Sequence, residues 1–263
     1  MKYKLPEKVK VLKFGGSAFK NRDKMPMLWH AVLHEAMGGY KIIAVVSAMG
    51  STTYKLKCAL PGYLIPKPDK QAYDSYISTG EDQAAPLLSM YLIQNGIKAE
   101  DFRGWQAGIM TDDKFGDANI IRINTDYLSK FFQKNDVAVV SGFQGLTTKR
   151  KITTLGSNGS DLTAAYLADV FRAKSCVLYK DVSGIYTGDP KNSRPVLYKY
   201  ITPDEVLQTM EREHSKIVQP KAVLHFKEML EKGAETEIIV RNIDLSKKQF
   251  TTICNKTKLY RVK

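Results

Sequence analysis

Lys13-Phe14-Gly15-Gly16-Ser17 follows a mainly apolar run at residues 9–12, near the start of this 263-residue chain. The pattern predicts a first strand that ends in a tight turn. Paired glycines allow positive φ angles and bring backbone N–H groups close to a bound anion, so Gly15, Gly16 and Ser17 are candidate phosphate-binding residues. Lys13 would add a point charge to the same site. A plain turn without a ligand would also explain this short stretch.

The next apolar run, Lys41–Val46, also ends in a turn of small residues, Ser47-Ala48-Met49-Gly50-Ser51-Thr52-Thr53. An uninterrupted apolar strand is typical of a parallel sheet that is covered on both faces. Because ligands bind at the carboxyl edge of such a sheet, we expect both loops to contribute to one site.

Apolar runs and helical patterns alternate along the rest of the chain. Further strands are predicted over 106–110, Val137–Ser141, 175–179 and 237–241. Helices are predicted over Met25–Met37, 79–94, 125–134, the segment from Asp161 to Phe171, 204–212 and 222–232. The proline-rich segment 61–68 is predicted to be a surface excursion. These repeated β–loop–α units predict an α/β fold, a three-layer αβα sandwich around a mainly parallel sheet.

The length of the chain allows one large α/β domain or two small lobes. No apolar run is long enough to span a bilayer and the N-terminus lacks the apolar core of a signal peptide, so we expect a cytoplasmic protein without a membrane partner. Cys58, Cys176 and Cys254 are widely spaced and form no CxxC pair. Reduced structural thiols are therefore favoured over disulfides or a metal site.

The formal net charge of +13 raises the question of a nucleic-acid partner. The basic excess is spread along the chain, and the dense basic stretches are 149–151 and the tail. We interpret it as a solvated surface whose field attracts small anionic substrates, with no nucleic-acid partner. A nucleic-acid binder is the alternative, and it would require affinity that falls steeply with salt.

Two later loops combine glycines with polar side chains. Residues 156–161 bring glycines, hydroxyls and Asp161 to a predicted helix N-terminus, which favours an anion or substrate loop; a capped structural turn is the alternative. Residues 180–191 contain two glycines, Tyr186 and paired Asp and Lys residues, which fit a nucleotide pocket or a plain connector. Glu81 lies in the first turn of another predicted helix, where it could simply complement the helix dipole.

Eight loop motifs in a fixed order carry a resemblance to a known family. They are Lys13-Phe14-Gly15-Gly16-Ser17, Val46-Ser47-Ala48-Met49-Gly50-Ser51-Thr52-Thr53, Thr79-Gly80-Glu81, Gln106-Ala107-Gly108-Ile109, Gly142-Phe143-Gln144-Gly145, Thr153-Thr154-Leu155-Gly156, Gly159-Ser160-Asp161 and Asp181-Val182-Ser183-Gly184-Ile185-Tyr186. Together they resemble the catalytic domain of aspartate kinases, in the amino-acid kinase superfamily. The resemblance covers nearly the whole chain.

The resemblance implies a kinase that uses ATP and Mg²⁺ to phosphorylate the β-carboxylate of L-aspartate, giving the acyl phosphate 4-phospho-aspartate in amino-acid biosynthesis. It implies a single amino-acid kinase domain over 1–263, with an amino-acid-substrate lobe at 1–172 and a nucleotide-binding lobe at 173–263. It also implies a homodimer. Transfer to a carboxylate needs in-line positioning and charge compensation more than covalent chemistry from the protein.

Site roles also follow from the resemblance. Lys13 and Asp161 are implied as catalytic residues, with Lys13 neutralising the transferred group and Asp161 orienting Lys13. Glu81 is implied to pair with the substrate ammonium. Other amino-acid-binding positions are Ser47, Thr53, Ser157, Gly159 and Ser160. Nucleotide-binding positions are Lys180, Asp181, Tyr186, Asp189, Lys191 and Lys216. No residue of this chain is expected to bind a metal ion.

The sequence departs from the family pattern where the acceptor would bind. The family loop usually has Arg at position 157, where it clasps the substrate α-carboxylate, and this chain has Ser157. Loss of an Arg–carboxylate fork is expected to weaken or redirect amino-acid binding. A hypothesis is that Lys149, Arg150 or Lys151 reaches in as a substitute. Other departures are Ala18, Tyr54 and Ala84 near the same pocket, and Lys180 and Lys191 on the nucleotide side.

These departures leave two alternatives to an aspartate kinase, and the length of the chain adds an expectation about regulation. The acceptor could be another small carboxylate that tolerates Ser157, and a catalytically idle nucleotide-binding homologue is a further alternative. The presence of both Lys13 and Asp161 argues against an idle domain. Because the chain stops soon after Arg241, without the C-terminal ACT domains of regulated aspartate kinases, we expect no feedback inhibition by lysine or threonine through such a domain.

Overall fold

The computed structural model describes residues 2–16, 25–188, 195–215 and 217–255, and these form two sheets and their flanking helices. The strands are β1 Val9–Phe14, β2 Lys41–Val46, β3 Ala99–Phe102, β4 Ile109–Thr111, β5 Ile120–Ile123, β6 Val137–Ser141, β7 Gln144–Leu146, β8 Ile152–Thr154, β9 Ser175–Lys180, β10 Tyr200–Ile201, β11 Glu237–Asn242 and β12 Phe250–Ile253. The α-helices are α1 Met25–Met37, α2 Thr52–Ala59, α3 Lys70–Ile77, α4 Thr79–Gln94, α5 Asp126–Phe131, α6 Gly159–Val170, α7 Pro203–Arg212 and α8 Pro220–Glu231.

The main sheet has eight strands in the order β10-β12-β11-β9-β1-β2-β6-β3. Every neighbouring pair is parallel except β11 and β12. β1 lies near the middle, with Lys13 in register with Val45 on one side and Leu178 on the other. The carboxyl ends of β1, β2, β6 and β9 therefore lie at one edge, as their apolar runs predict.

Successive residues of β1 enter different hydrophobic cores. Val9 and Val11 pack into the core that includes α6, α7 and α8, whereas Leu12 and Phe14 pack into the core that includes α1 and α4. The alternation of side chains along a strand produces this division. Helices thus cover both faces of the sheet, which confirms the predicted α/β fold with a mainly parallel central sheet. Lys13 points to the same face as Val11, the face covered by α6.

A smaller sheet, in the order β5-β4-β7-β8, was not predicted from the sequence. The strand predicted over 106–110 is wrong at its start, because residues 104–108 form a turn closed by hydrogen bonds from Ala107 N to Arg103 O and from Ile109 N to Gly104 O. Gln144 and Gly145, expected in a loop, belong to β7. This sheet leads directly into residues 155–158 before α6.

Predicted and observed elements agree best where a helix or strand is buried. The bounds of α1, β2 and β6 are those predicted, and α4 begins at Thr79. The helices α2 and α3 were missed. α2 buries none of its residues, so it has no apolar stripe to reveal it. The segment 61–68 is mainly exposed, as predicted, and starts within a short 3₁₀ helix, Leu60–Tyr63.

Among the described residues, no helix is both long enough and apolar enough to cross a membrane. The boundary expected between the two lobes, at 172/173, falls between α6 and β9. At that point the main sheet is continuous, since β1 pairs with β9 as well as β2.

Candidate active site

The site is built around a buried ion pair between Lys13 and Asp161. Lys13 is the penultimate residue of β1, and Asp161 lies in the first turn of α6. The Lys13 Nζ lies 2.7 Å from Oδ1 of Asp161, and both side chains are buried. The sheet therefore places the ammonium group at its carboxyl edge, while the helix start supplies the carboxylate. This is the pair that the family resemblance implied.

A second ammonium group shares the same carboxylate. Lys180 Nζ, at the end of β9, lies 3.0 Å from Oδ1 and 2.8 Å from Oδ2 of Asp161. The backbone N–H of Gln219 donates to Oδ2 at 3.1 Å. Two ammonium groups and one carboxylate leave this cluster with a net positive charge. The sequence placed Lys180 at the site but did not predict that it would bind Asp161.

Burial and ion pairing act in opposite directions on these groups. Burial raises the pKa of Asp161, but Lys13 and Lys180 outweigh it and lower that pKa to about 2. Burial lowers the pKa of Lys180 to about 8, although Asp161 opposes this change. Asp161 is therefore a carboxylate at neutral pH. Lys180 is mainly an ammonium group at neutral pH, but its pKa lies only slightly above that pH.

The glycine turn after β1 packs closely against the loop after β2. Gly16 O accepts a hydrogen bond from Gly50 N at 3.0 Å. A Cβ at position 16 would lie 2.8 Å from the carbonyl oxygen of Ala48, so a side chain would push these loops apart. Gly15 and Gly16 both line the central cavity. The remaining predicted phosphate-binding residue, Ser17, lies outside the described residues.

Glu81, in the first turn of α4, supplies a buried carboxyl group on another part of the wall. Its side chain is buried, and Oε1 accepts a hydrogen bond from Ala48 N at 2.9 Å. Its Oε2 accepts no hydrogen bond from any described residue. Burial raises the pKa of Glu81 to about 8, against the opposing effect of the Ala48 N–H. The unpaired oxygen is thus ready for a cationic partner.

A cavity of about 620 Å³ brings most of the predicted residues together. The predicted residues that line it are Lys13, Gly15, Gly16, Ser47, Thr53, Glu81, Ser157, Gly159, Ser160, Lys180 and Asp181. Ser47 Oγ donates to Ser160 Oγ at 2.9 Å, which ties the loop after β2 to the start of α6. Asp161 lies behind this wall, fully buried.

Tyr186 lies in a smaller neighbouring cavity of about 220 Å³. Its apolar lining includes Val182, Ile185 and Met210. Ser215 and Ile217 line both cavities, so the two adjoin. An apolar recess beside a positively charged cavity suits a flat heterocycle joined to an anionic chain. The predicted residues Asp189, Lys191 and Lys216 lie outside the described residues.

Sequence reasoning missed several residues of the cavity wall. Lys57 and Tyr73 reach it from α2 and α3, and Phe143 and Asn158 come from the loops near Ser160. The spacing of Thr53 and Lys57, four residues apart, was the available signal once α2 is known to be a helix.

The basic residues Lys149, Arg150 and Lys151 do not line this cavity. All three are exposed at the turn between β7 and β8. The structure therefore does not bring these three basic residues, the predicted substitutes for the missing arginine, into the cavity that Ser157 lines.

The described residues contain no cluster of three or more His, Cys, Asp or Glu side chains that could hold a metal ion. In kinases Mg²⁺ usually takes its ligands from substrate phosphates and one or two carboxylates. Asp181 lines the cavity, and its carboxylate could serve as such a ligand for Mg²⁺.

The family model and the similar curated proteins point to the same family. The model of the amino acid kinase family matches residues 8–242. The chain is 38% identical over 216 residues to the aspartokinase of Geobacillus stearothermophilus, and the match covers 81% of this chain and 52% of the relative. It is 37% identical over 216 residues to aspartokinase 2 of Bacillus subtilis, with the same coverage. The chain thus spans about half the length of these curated relatives.

Solved structures show the same fold. The structure of Escherichia coli aspartokinase III in complex with aspartate and ADP has a TM-score of 0.80 at 21% identity, covering 95% of this chain and 66% of that chain. Synechocystis aspartate kinase also has a TM-score of 0.80, at 27% identity, with 96% of this chain and 41% of that chain covered.

Proposed function

This chain belongs to the amino acid kinase family, and we propose that it transfers the γ-phosphoryl group of ATP to the β-carboxylate of L-aspartate. The observation that carries this proposal is the Lys13–Asp161–Lys180 cluster at a cavity that also holds a buried, half-paired Glu81. A positive site suits phosphates, and a buried carboxyl group with an unpaired oxygen suits an amino-acid ammonium group, which would favour its carboxylate form. The aspartokinases that match over most of this chain support the same reaction.

The reaction needs no general base in this proposal. A β-carboxylate oxygen attacks the γ-phosphorus, a new P–O bond forms, and the bond from the γ-phosphorus to the β–γ bridging oxygen breaks. The products are 4-phospho-aspartate and ADP. Lys13 and Lys180 would compensate the charge on the transferred group, and the N–H groups of Gly15 and Gly16 would orient it. Asp161 would hold both ammonium groups in place.

The acceptor would occupy the part of the cavity near Glu81. The free Oε2 of Glu81 would bind the substrate ammonium, and the hydroxyls of Ser47, Thr53 and Ser160 would add hydrogen bonds. We assign Ser157 and Gly159 to the same wall. These are the roles that the family resemblance implies.

The nucleotide would extend from Lys180 and Asp181 toward the apolar recess beside Tyr186. Mg²⁺ would enter bound to the phosphates, where it supplies charge neutralisation, and Asp181 would help hold the complex. Roles for Asp189, Lys191 and Lys216 remain predictions from the resemblance. A substrate lobe over 1–172, a nucleotide lobe over 173–263, a cytoplasmic location, a homodimer and a place in amino-acid biosynthesis are likewise predictions.

A second acceptor class is favoured by one observation. Ser157 puts a short neutral side chain in the cavity wall where the resemblance implies an arginine. Another small carboxylate with an ammonium group would fit the same site, and the phosphoryl chemistry would be unchanged.

The direct test is turnover of MgATP with a panel of carboxylates, trapping acyl phosphates with hydroxylamine as hydroxamates. We expect a hydroxamate with L-aspartate and its loss in Asp161→Asn, with the fold of the variant checked by circular dichroism. A hydroxamate with another acid alone would replace the substrate. No hydroxamate with any acid, while ATP binding is retained, would contradict the kinase proposal.

A further inference from the structure

We propose that Lys57 is a specificity residue of this site and that its ammonium group binds the α-carboxylate of the amino-acid acceptor; this rests on the proposed function. Lys57 lies in α2 and lines the central cavity. Thr53, one turn earlier on the same helix, lines it too. Residues four apart share a helix face, so both side chains are presented to one ligand.

The cations of the cavity wall are not equivalent. Lys13 and Lys180 both contact Asp161; Lys13 is buried and Lys180 is partly buried. Lys57 is exposed and forms no hydrogen bond or ion pair through Nζ with any described residue. Among the described lysines of this wall it is therefore the one whose charge is available without breaking an existing contact. An anionic group of the ligand is the partner that this charge would take.

The position of Thr53 relates Lys57 to the proposed ammonium site. Thr53 Oγ1 lies 3.7 Å from the place where a Cβ of Gly80 would be, so the hydroxyl abuts the first turn of α4 beside Glu81. The ammonium and the α-carboxylate of an amino acid share one carbon atom. A substrate whose ammonium binds Glu81 must therefore present its α-carboxylate close by. Lys57 lies one turn further along the same helix, lines the same cavity and has a long, flexible side chain.

Other candidates for this charge are excluded by position or chemistry. Ser157 is neutral, and Lys149, Arg150 and Lys151 do not line the cavity. Lys13 and Lys180 are needed where the β-carboxylate meets the γ-phosphoryl group. Without Lys57, the described wall would offer the α-carboxylate hydrogen bonds from hydroxyls and backbone N–H groups but no free cation.

The test compares L-aspartate with L-isoasparagine, which keeps the ammonium and β-carboxylate but carries a neutral amide in place of the α-carboxylate. We expect the wild-type enzyme to prefer aspartate in kcat/KM. In Lys57→Gln this preference should shrink about tenfold or more, the size expected for a hydrogen bond to a charged group. The KM for ATP should not change, and Lys57→Arg should keep most of the preference.

Lys55→Gln is the matched control, because Lys55 is exposed on the same helix and does not line the cavity. It should leave the aspartate-to-isoasparagine ratio unchanged. An unchanged ratio in Lys57→Gln would overturn the assignment of Lys57 while leaving the kinase proposal intact. No hydroxamate from wild-type enzyme with either acceptor would instead overturn the proposed function, and the assignment of Lys57 with it.

Discussion

Glu81 is the residue whose protonation should respond to the acceptor. Burial raises its pKa to about 8, so it is mainly protonated at pH 7 without a ligand. An ammonium group on Oε2 would favour the carboxylate. We therefore expect aspartate binding at pH 7 to release close to one proton, and aspartate affinity to rise as the pH increases toward 8. Isothermal titration calorimetry in two buffers of different ionisation enthalpy measures this release.

The control for this experiment is Glu81→Gln, which has no proton to release. In this variant the binding enthalpy should no longer depend on the buffer, and affinity should be weaker at every pH. A wild-type enthalpy that is equal in both buffers would show that Glu81 does not exchange its proton for the substrate.

The site residues differ in whether they could be predicted from the sequence. Lys13 and Asp161 could be placed near one edge of the sheet because they lie beside glycine-rich loops at the ends of apolar runs. The pairing of Lys13 with Asp161 and the role of Glu81 came from the family resemblance. The contact between Lys180 and Asp161 could not be predicted from the sequence, because it depends on the direction of a long side chain at the end of β9. Lys57 was missed since nothing in the sequence reveals a helix without a buried face.

Among the helices, α3 is connected to the smaller sheet by hydrogen bonds to Asp74. Its side chain is fully buried. Oδ2 accepts from the backbone N–H groups of Gly116 and Thr154, each at 2.8 Å, and Oδ1 accepts from the Thr154 hydroxyl at 2.8 Å. The same helix carries Tyr73, which lines the cavity. The carboxylate therefore holds one part of the cavity wall to another.

We expect Asp74→Ala to lower the free energy of unfolding by about 2–4 kcal/mol, because buried N–H groups would lose their acceptor. Urea unfolding followed by circular dichroism measures the change. Asp69→Ala is the matched comparison, since Asp69 caps the same helix by accepting from Ala72 N, and its loss should cost about 1 kcal/mol. Equal effects of the two substitutions would contradict the special role of Asp74.

The smaller sheet was not predicted because its strands are short. The strands β4, β7 and β8 contain three residues each, too few to display an alternating pattern, and only β4 was partly predicted. Their position depends on contacts with distant residues, such as the parallel bridge from Met110 to Leu146. Long apolar strands such as β2 and β6 need no such context, and their bounds were predicted correctly.

For the whole molecule, the main sheet binds the two predicted lobes into one structure. β9 follows the expected boundary at 172/173, yet it pairs with β1 from Lys10 opposite Ser175 to Phe14 opposite Tyr179. The Lys13–Asp161–Lys180 cluster also spans this boundary. Separating the lobes would expose the edges of two buried strands and divide the site.

We therefore expect the fragments 1–172 and 173–263 to be unfolded or aggregated when produced separately. Co-expressed, they should associate and recover a cooperative thermal transition. Circular dichroism and size-exclusion chromatography of each fragment and of the pair test this. A monomeric fragment 1–172 with its own cooperative transition would contradict a single folding unit.

The place of β1 between β2 and β9 has a consequence for synthesis on the ribosome. β1 is translated before its partner β9, which follows roughly 160 residues later. At translation rates of about 5–20 residues per second, the nascent chain must carry that unpaired apolar edge for roughly 10–30 s. Chaperones that bind emerging chains should therefore engage this polypeptide until its ninth strand has left the exit tunnel.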